Sequence, residues 1–146
     1  MSAFDVDGIV NDAIAVDGLS DFGRENYRQP MEKMLWSFEH EAKLNEVGEA
    51  VIRQRVVDIL VSRARVQEYV RRYPEILDEE IVEPLIIVGL PRTGTTMLHR
   101  TISADDRMYA PLWYETRFPS PALDWDFTST NDQRIADATA EMQMML

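Results

Sequence analysis

The sequence has no cysteine among its 146 residues. This absence excludes disulfide frameworks, thiolate zinc sites and cysteine nucleophiles, and it is typical of proteins from a reducing compartment. Histidine is also scarce, and His40 has no second histidine or carboxylate cluster at metal-ligand spacing near it. The sequence therefore predicts no metal site and a cytoplasmic location.

Long apolar runs and an excess of positive charge are missing as well. The first 19 residues are interrupted by four aspartates and lack the basic start and continuous apolar run of a signal peptide. The longest apolar stretch, residues 84–91, is far shorter than the roughly 20 residues that span a bilayer. A formal net charge of -11 disfavours binding to a nucleic-acid backbone. We expect no export, no integral membrane segment and no nucleic-acid partner.

Helical patterns fill residues 1–82. A first apolar stripe at helical spacing runs up to Gly18, where we expect the helix to end. A second, Met-rich amphipathic segment follows, and a third begins after Asn45, a good N-cap, and ends at Pro74. These segments predict a helical N-terminal region whose ordinary role is packing rather than chemistry.

The pattern changes at residue 83, where the second predicted domain, residues 83–146, begins. Residues 84–88 form an apolar, β-branched run that is too short for a helix and is bounded by proline and glycine, so they predict a strand. Because the run is continuously apolar, we expect a buried strand of a parallel sheet. A helix follows from Thr95 to Ser103. The order strand, glycine loop, helix predicts an α/β fold of the P-loop class.

The remainder of this domain is less regular. Residues 108–110 are a candidate second strand, residues 112–118 a short helix and residues 119–126 a proline-rich loop, and Asn131 or Asp132 can cap a last helix. A parallel sheet needs more than one or two strands. We therefore expect the sheet to be incomplete and the chain to be a fragment.

The glycine loop carries the chemistry. Gly89 and Gly94 have the spacing of a Walker loop, but Thr95 stands where its lysine would be, and the cation of the loop is Arg92. A phosphosulfate needs less positive charge than a triphosphate, since its terminal group carries a single negative charge. We expect the anion to meet one arginine, two threonine hydroxyls and the amides at a helix N-terminus, from Thr93, Gly94, Thr95 and Thr96.

The run from Pro91 to Thr96 resembles the 5′-phosphosulfate loop of sulfotransferases that use 3′-phosphoadenosine 5′-phosphosulfate (PAPS), and residues 84–121 resemble bacterial sulfotransferase-like proteins with an N-terminal helical region. Glu115-Thr116-Arg117 is similar to the Glu-Thr-Arg of tyrosylprotein sulfotransferases, whose glutamate is the general base. The resemblance implies PAPS as co-substrate, no metal, and a small-molecule, glycan or lipid hydroxyl as acceptor. It implies Glu115 and Arg92 as catalytic residues and a donor loop made of Arg92, Thr93, Gly94, Thr95 and Thr96.

The residues alone leave other interpretations open. Glu115 could be a solvated charge paired with Arg117, and His99, Arg100 and Arg107 are most simply surface residues. The chain could also be a divergent P-loop kinase or nucleotide hydrolase, or a non-catalytic helical interaction module. The family's 3′-phosphate motif lies beyond the last residue of this sequence, so we expect the fragment alone to be inactive. No signal sets the oligomeric state.

Overall fold

The computed structural model describes residues 3–144, which contain six α-helices joined by loops and two short 3₁₀ turns. The helices are α1 (Val6–Asp17), α2 (Arg28–His40), α3 (Glu46–Arg72), α4 (Thr95–Ile102), α5 (Trp113–Arg117) and α6 (Gln133–Met144). The chain divides into two compact units. Residues 3–77 and 120–129 form the first, and residues 78–119 and 130–144 form the second.

Local signals set the ends of the first three helices. Asp5 caps α1, because its side chain accepts a hydrogen bond from the Gly8 amide at 3.0 Å, and Gly18 ends the helix in a left-handed conformation. Asn45 caps α3 in the same way, with 2.8 Å between its Oδ1 and the Gly48 amide. The predicted helix ends at Gly18 and before Pro74 are confirmed.

The core of the first unit lies between the inner faces of α1, α2 and α3. Ion pairs then tie α3 to α1 outside this core, with Arg53 2.5 Å from Asp12 and Arg65 2.6 Å from Asp17. The buried apolar side chains that form the core are Phe4, Ile9, Ala13, Phe22, Met31, Leu35, Val56, Val57, Leu60, Val61 and Ala64. Their burial is the main term that stabilises this unit.

Residues 120–129 belong to the first unit because they pack on the last turns of α3. The Tyr69 hydroxyl donates to the Ala122 carbonyl at 2.6 Å, and Arg72 donates to the Leu123 carbonyl at 3.0 Å. The Phe127 ring meets the Tyr69 ring edge-on, with 6.1 Å between centroids. The proline-rich segment is thus a loop, as predicted, and its hydrogen bonds anchor it to α3.

The predicted strands are wrong for the part of the chain that the structure describes. Residues 84–88 and 108–110 are outside any strand, and Ile86 and Val88 are 76% and 88% exposed rather than buried. A strand satisfies its backbone N–H and C=O groups by pairing with a neighbour, and residues 3–144 supply no paired neighbour. Leu98 on α4 is exposed as well, at 50%. The parallel sheet is therefore not confirmed.

In the second unit α5 packs on α6. Ala138 of α6 is buried, and the Arg117 guanidinium pairs with the Glu141 carboxylate at 2.8 Å while both side chains are largely buried, at 9% and 17% exposed. Arg134 of α6 donates to the Phe118 carbonyl and lies over the Tyr114 ring. This packing fixes the orientation of α5, which carries Glu115.

Candidate functional site

The glycine loop bends sharply before it enters α4. Gly94 is the N-cap of α4 and has a φ of 89°, a left-handed conformation that glycine adopts without steric cost. At the other end of the loop, a β-carbon at Gly89 would lie 2.6 Å from Thr95 Cγ2 and 2.9 Å from Thr93 Oγ1. Both glycines are therefore required by the shape of the loop.

The N-terminal end of α4 presents free amide groups. The Leu98 amide makes the first intrahelical bond, to the Gly94 carbonyl at 3.0 Å. The amides of Thr95, Thr96 and Met97 precede that bond and, as in any α-helix, have no acceptor inside the helix. Together with the helix dipole they favour an anion at this position.

Arg92 stands out within the loop. Its φ is 65°, which is uncommon for a residue with a side chain and costs conformational energy. In the described residues 3–144 its exposed guanidinium makes no ion pair or hydrogen bond. An unpaired arginine next to free helix amides fits an anionic group such as a phosphate or a phosphosulfate.

Both carboxylate oxygens of Glu115 accept short hydrogen bonds. The Tyr109 hydroxyl donates to Oε1 and the Leu112 amide donates to Oε2, each at 2.6 Å. The second of these bonds satisfies an amide at the start of α5 that no intrahelical acceptor can reach. Two donors on two different oxygens hold the carboxylate in one orientation.

The same bonds change the acidity of the site. Donation from the Tyr109 hydroxyl lowers the pKa of Glu115 below its ordinary value, with the Leu112 amide and the positive charge of Arg134 acting in the same direction. The carboxylate in turn raises the pKa of the Tyr109 hydroxyl. Because the pKa of Glu115 is depressed, the stabilising bonds are present above the ordinary glutamate pKa and are lost as pH falls through the lowered value. At neutral pH Glu115 is ionised and can accept a proton.

Removal of the Tyr109 hydroxyl is expected to raise the pKa of Glu115 toward its ordinary value. In Tyr109→Phe the carboxylate loses its largest stabilising donor and keeps only the weaker ones. A pH titration of the Glu115 side-chain carboxyl by ¹³C NMR measures this change. Tyr73→Phe, in the first compact unit, is the control, and an unchanged Glu115 pKa in Tyr109→Phe would contradict the assignment.

Other predicted residues have structural partners. Arg117, which the sequence suggested as an ion-pair partner of Glu115, pairs with Glu141. Arg107 pairs with Asp105 at 2.6 Å. The carboxylate of Glu115 is hydrogen-bonded to Tyr109 and Leu112 rather than to the loop. The Tyr109 bond could not be predicted, because nothing in a lone tyrosine six residues earlier indicates a hydrogen bond.

A pocket of about 590 Å³ lies between the last turn of α4 and the segment that leads into α5. Tyr109 and Leu112, the two donors to Glu115, belong to its wall. The other lining residues are His99, Arg100, Ser103, Met108, Ala110, Pro111 and Trp113. His99 and Arg100, which the sequence placed on an ordinary helix surface, thus line a cavity of ligand size.

The described residues show neither a metal-binding cluster nor a membrane-spanning helix. No group of three or more His, Asp or Glu side chains among residues 3–144 could hold a metal ion. None of the helices in this described part combines the length and the apolar character that crossing a membrane requires.

Comparisons with known proteins point to one family. Residues 84–145 match the model of the sulfotransferase family. The chain is similar in structure to the sulfotransferase STF1 from Mycobacterium tuberculosis H37Rv, with a TM-score of 0.79 and 30% sequence identity over 96% of this chain. The chain covers 39% of that protein, so it spans about two fifths of its length. No curated protein matches the chain.

Proposed function

We propose that the chain, whose residues 84–145 belong to the sulfotransferase family, binds the phosphosulfate end of PAPS in the loop 89–96 and uses Glu115 as general base. The observation that supports donor binding most directly is Arg92, which is held at a positive φ without a partner among the described residues, next to the free amides of α4. The residues present fit the anion. Thr93, Gly94, Thr95 and Thr96 would hold it with Arg92.

The residues of the chain would have separate roles in the transfer. PAPS, when bound, supplies an activated sulfuryl group. Glu115 accepts the proton of the acceptor hydroxyl as that oxygen forms a bond to sulfur and the bond from sulfur to the bridging phosphate oxygen breaks. Arg92 and the loop amides stabilise the negative charge that the departing bisphosphate gains.

The hydrogen bonds of Glu115 are compatible with this role. Each carboxylate oxygen has two lone pairs, so one remains on each oxygen after the bonds from Tyr109 and Leu112. The lowered pKa keeps the group ionised at neutral pH, at the cost of some basicity. Fixed orientation offsets this cost, because a base already positioned loses no freedom when the acceptor arrives.

Replacing Arg92 with alanine is expected to weaken donor binding by about tenfold to a hundredfold, the range of a lost charge-assisted hydrogen bond. The measurement is calorimetric titration with adenosine 5′-phosphosulfate, which carries the end that the loop would hold but no 3′-phosphate. Adenosine 3′,5′-bisphosphate is titrated in parallel into this chain and into a version extended downstream.

Arg107→Ala is the matched control, because it removes the same charge from an arginine that is already paired with Asp105. If Arg92→Ala and Arg107→Ala bind the donor equally well, the loop assignment is wrong. Preference for ATP with magnesium would support the P-loop kinase or hydrolase instead, and no nucleotide binding by either protein would support the interaction module.

The cytoplasmic location stays a prediction from the sequence.

A further inference from the structure

We propose that the pocket between α4 and α5 binds the sulfuryl acceptor, and that this acceptor carries a negatively charged group, such as a carboxylate, on an apolar or aromatic body. The proposal rests on the proposed function and adds to it the chemical class of the substrate. Three properties of the pocket support it: an unpaired cation, an apolar wall, and a direct connection to Glu115.

The cation is Arg100. The second unit contains five arginines, and three of them, Arg107, Arg117 and Arg134, are paired with carboxylates at 2.6, 2.8 and 2.7 Å. Arg92 and Arg100 have no such partner within the part of the chain that the structure describes. Arg92 is accounted for by the donor loop, whereas Arg100 lines the pocket.

The charge of the pocket is the reverse of the charge of the chain. The chain has 26 acidic residues and a net charge of -11, yet no aspartate or glutamate of the described residues lines this cavity. A guanidinium in a concave site whose lining contains no carboxylate attracts an anion, and its planar donors match a carboxylate in a bidentate arrangement. The complementary ligand therefore carries negative charge.

More than half of the lining residues are apolar. Met108, Leu112 and Trp113 are exposed large hydrophobic residues on the side of the pocket that leads into α5. A volume of about 590 Å³ lies within the range of small-molecule sites, in which apolar surface supplies most of the contact and a few polar groups fix the orientation. An acceptor with an aromatic or aliphatic body would pack against these apolar side chains.

Tyr109 connects the pocket to the base. It lines the cavity, and its hydroxyl donates to Glu115 Oε1 at 2.6 Å. An acceptor anchored by its anionic group at Arg100 would share the cavity with Tyr109 and Leu112, the two residues bonded to Glu115. Its hydroxyl would then have a route to the carboxylate that removes its proton.

The test uses a pair of probes that differ only in charge, 4-hydroxyphenylacetate and its methyl ester, titrated into the full chain and followed by amide NMR shifts. We expect the acid to shift amides of residues 99–113 and to bind about tenfold more weakly in Arg100→Gln, the effect of one lost charged contact. The ester is expected to bind equally well to both. Arg100→Lys should restore part of the affinity for the acid.

Arg107→Gln is the control, since it makes the same charge change at a paired arginine that does not line the pocket. Equal binding of acid and ester, or equal loss in Arg100→Gln and Arg107→Gln, would overturn the proposal. Donor binding is measured on the same variants, so that the two proposals fail separately. If donor binding depends on Arg92 while acid binding ignores Arg100, the acceptor class alone is wrong. If acid binding needs Arg100 while donor binding ignores Arg92, the donor loop is wrong.

Discussion

Glu115→Gln is expected to reduce the rate of sulfuryl transfer by about 10²- to 10⁴-fold, the contribution of a positioned general base. Glutamine has nearly the same shape, but its amide cannot take a proton from the acceptor hydroxyl. Glutamine also replaces one carboxylate oxygen with an NH₂ group, which donates and does not accept. It therefore loses one of the two hydrogen bonds that Glu115 accepts from the Tyr109 hydroxyl and the Leu112 amide. The measurement is kcat/KM with radiolabelled sulfuryl donor in a version of the chain extended downstream.

The control for this experiment is Glu79→Gln, which neutralises an exposed glutamate at the start of the same compact unit. Calorimetric donor binding should be unchanged in both variants, because Glu115 is assigned to the acceptor proton and not to the phosphosulfate. A Glu115→Gln rate within about threefold of the control would show that another group is the base.

Leu60→Ala is expected to destabilise the helical first unit by about 2–5 kcal/mol. Leu60 is 2% exposed at the centre of the contacts between α1, α2 and α3, and removal of its side-chain carbons leaves a cavity that rigid neighbours fill only in part. Urea unfolding followed by far-UV circular dichroism measures the change in the free energy of unfolding.

Val51→Ala is the matched control on the same helix, because Val51 is 60% exposed and its replacement should change stability by less than about 0.5 kcal/mol. Equal unfolding midpoints for the two variants would contradict the described core. Donor binding should survive in folded Leu60→Ala protein, since the donor loop belongs to the second unit.

Local chemistry explains why the sequence predicted most helices. Gly18 can adopt a left-handed conformation, Asn45 can accept from an amide three residues on, and Pro74 cannot continue a helix. Each of these properties belongs to one residue and its immediate neighbours. The same holds for α4, which begins at Thr95 directly after the positive φ of Gly94, as the glycine loop predicted.

The strands could not be predicted in this way. The apolar run 84–88 has the composition of a buried strand, but burial and pairing depend on other segments, and residues 3–144 provide none that pairs with it. An apolar pattern indicates that a segment favours burial. Whether the segment is buried depends on other segments that can cover it.

The same distinction between local and long-range information applies to the candidate site. The sequence could suggest Arg92 and the loop threonines as donor-binding residues because they occupy adjacent positions of one motif. The surroundings of Glu115 were not, since Tyr109 bonds to it across a turn and Arg134 acts on it from α6. Arg117 was assigned the nearest carboxylate in sequence, whereas its partner Glu141 lies 24 residues away. Side-chain pairing between elements requires the fold.

The hydrogen bond from the Leu112 amide gives Glu115 a structural role in addition to the proposed chemical one. The carboxylate that would receive the acceptor's proton also closes the first turn of its own helix. A replacement at this position must therefore accept a proton and also extend far enough to accept the hydrogen bond from the Leu112 amide. Aspartate retains the charge but is one methylene shorter, so it could not span back to Leu112 without shifting the start of α5.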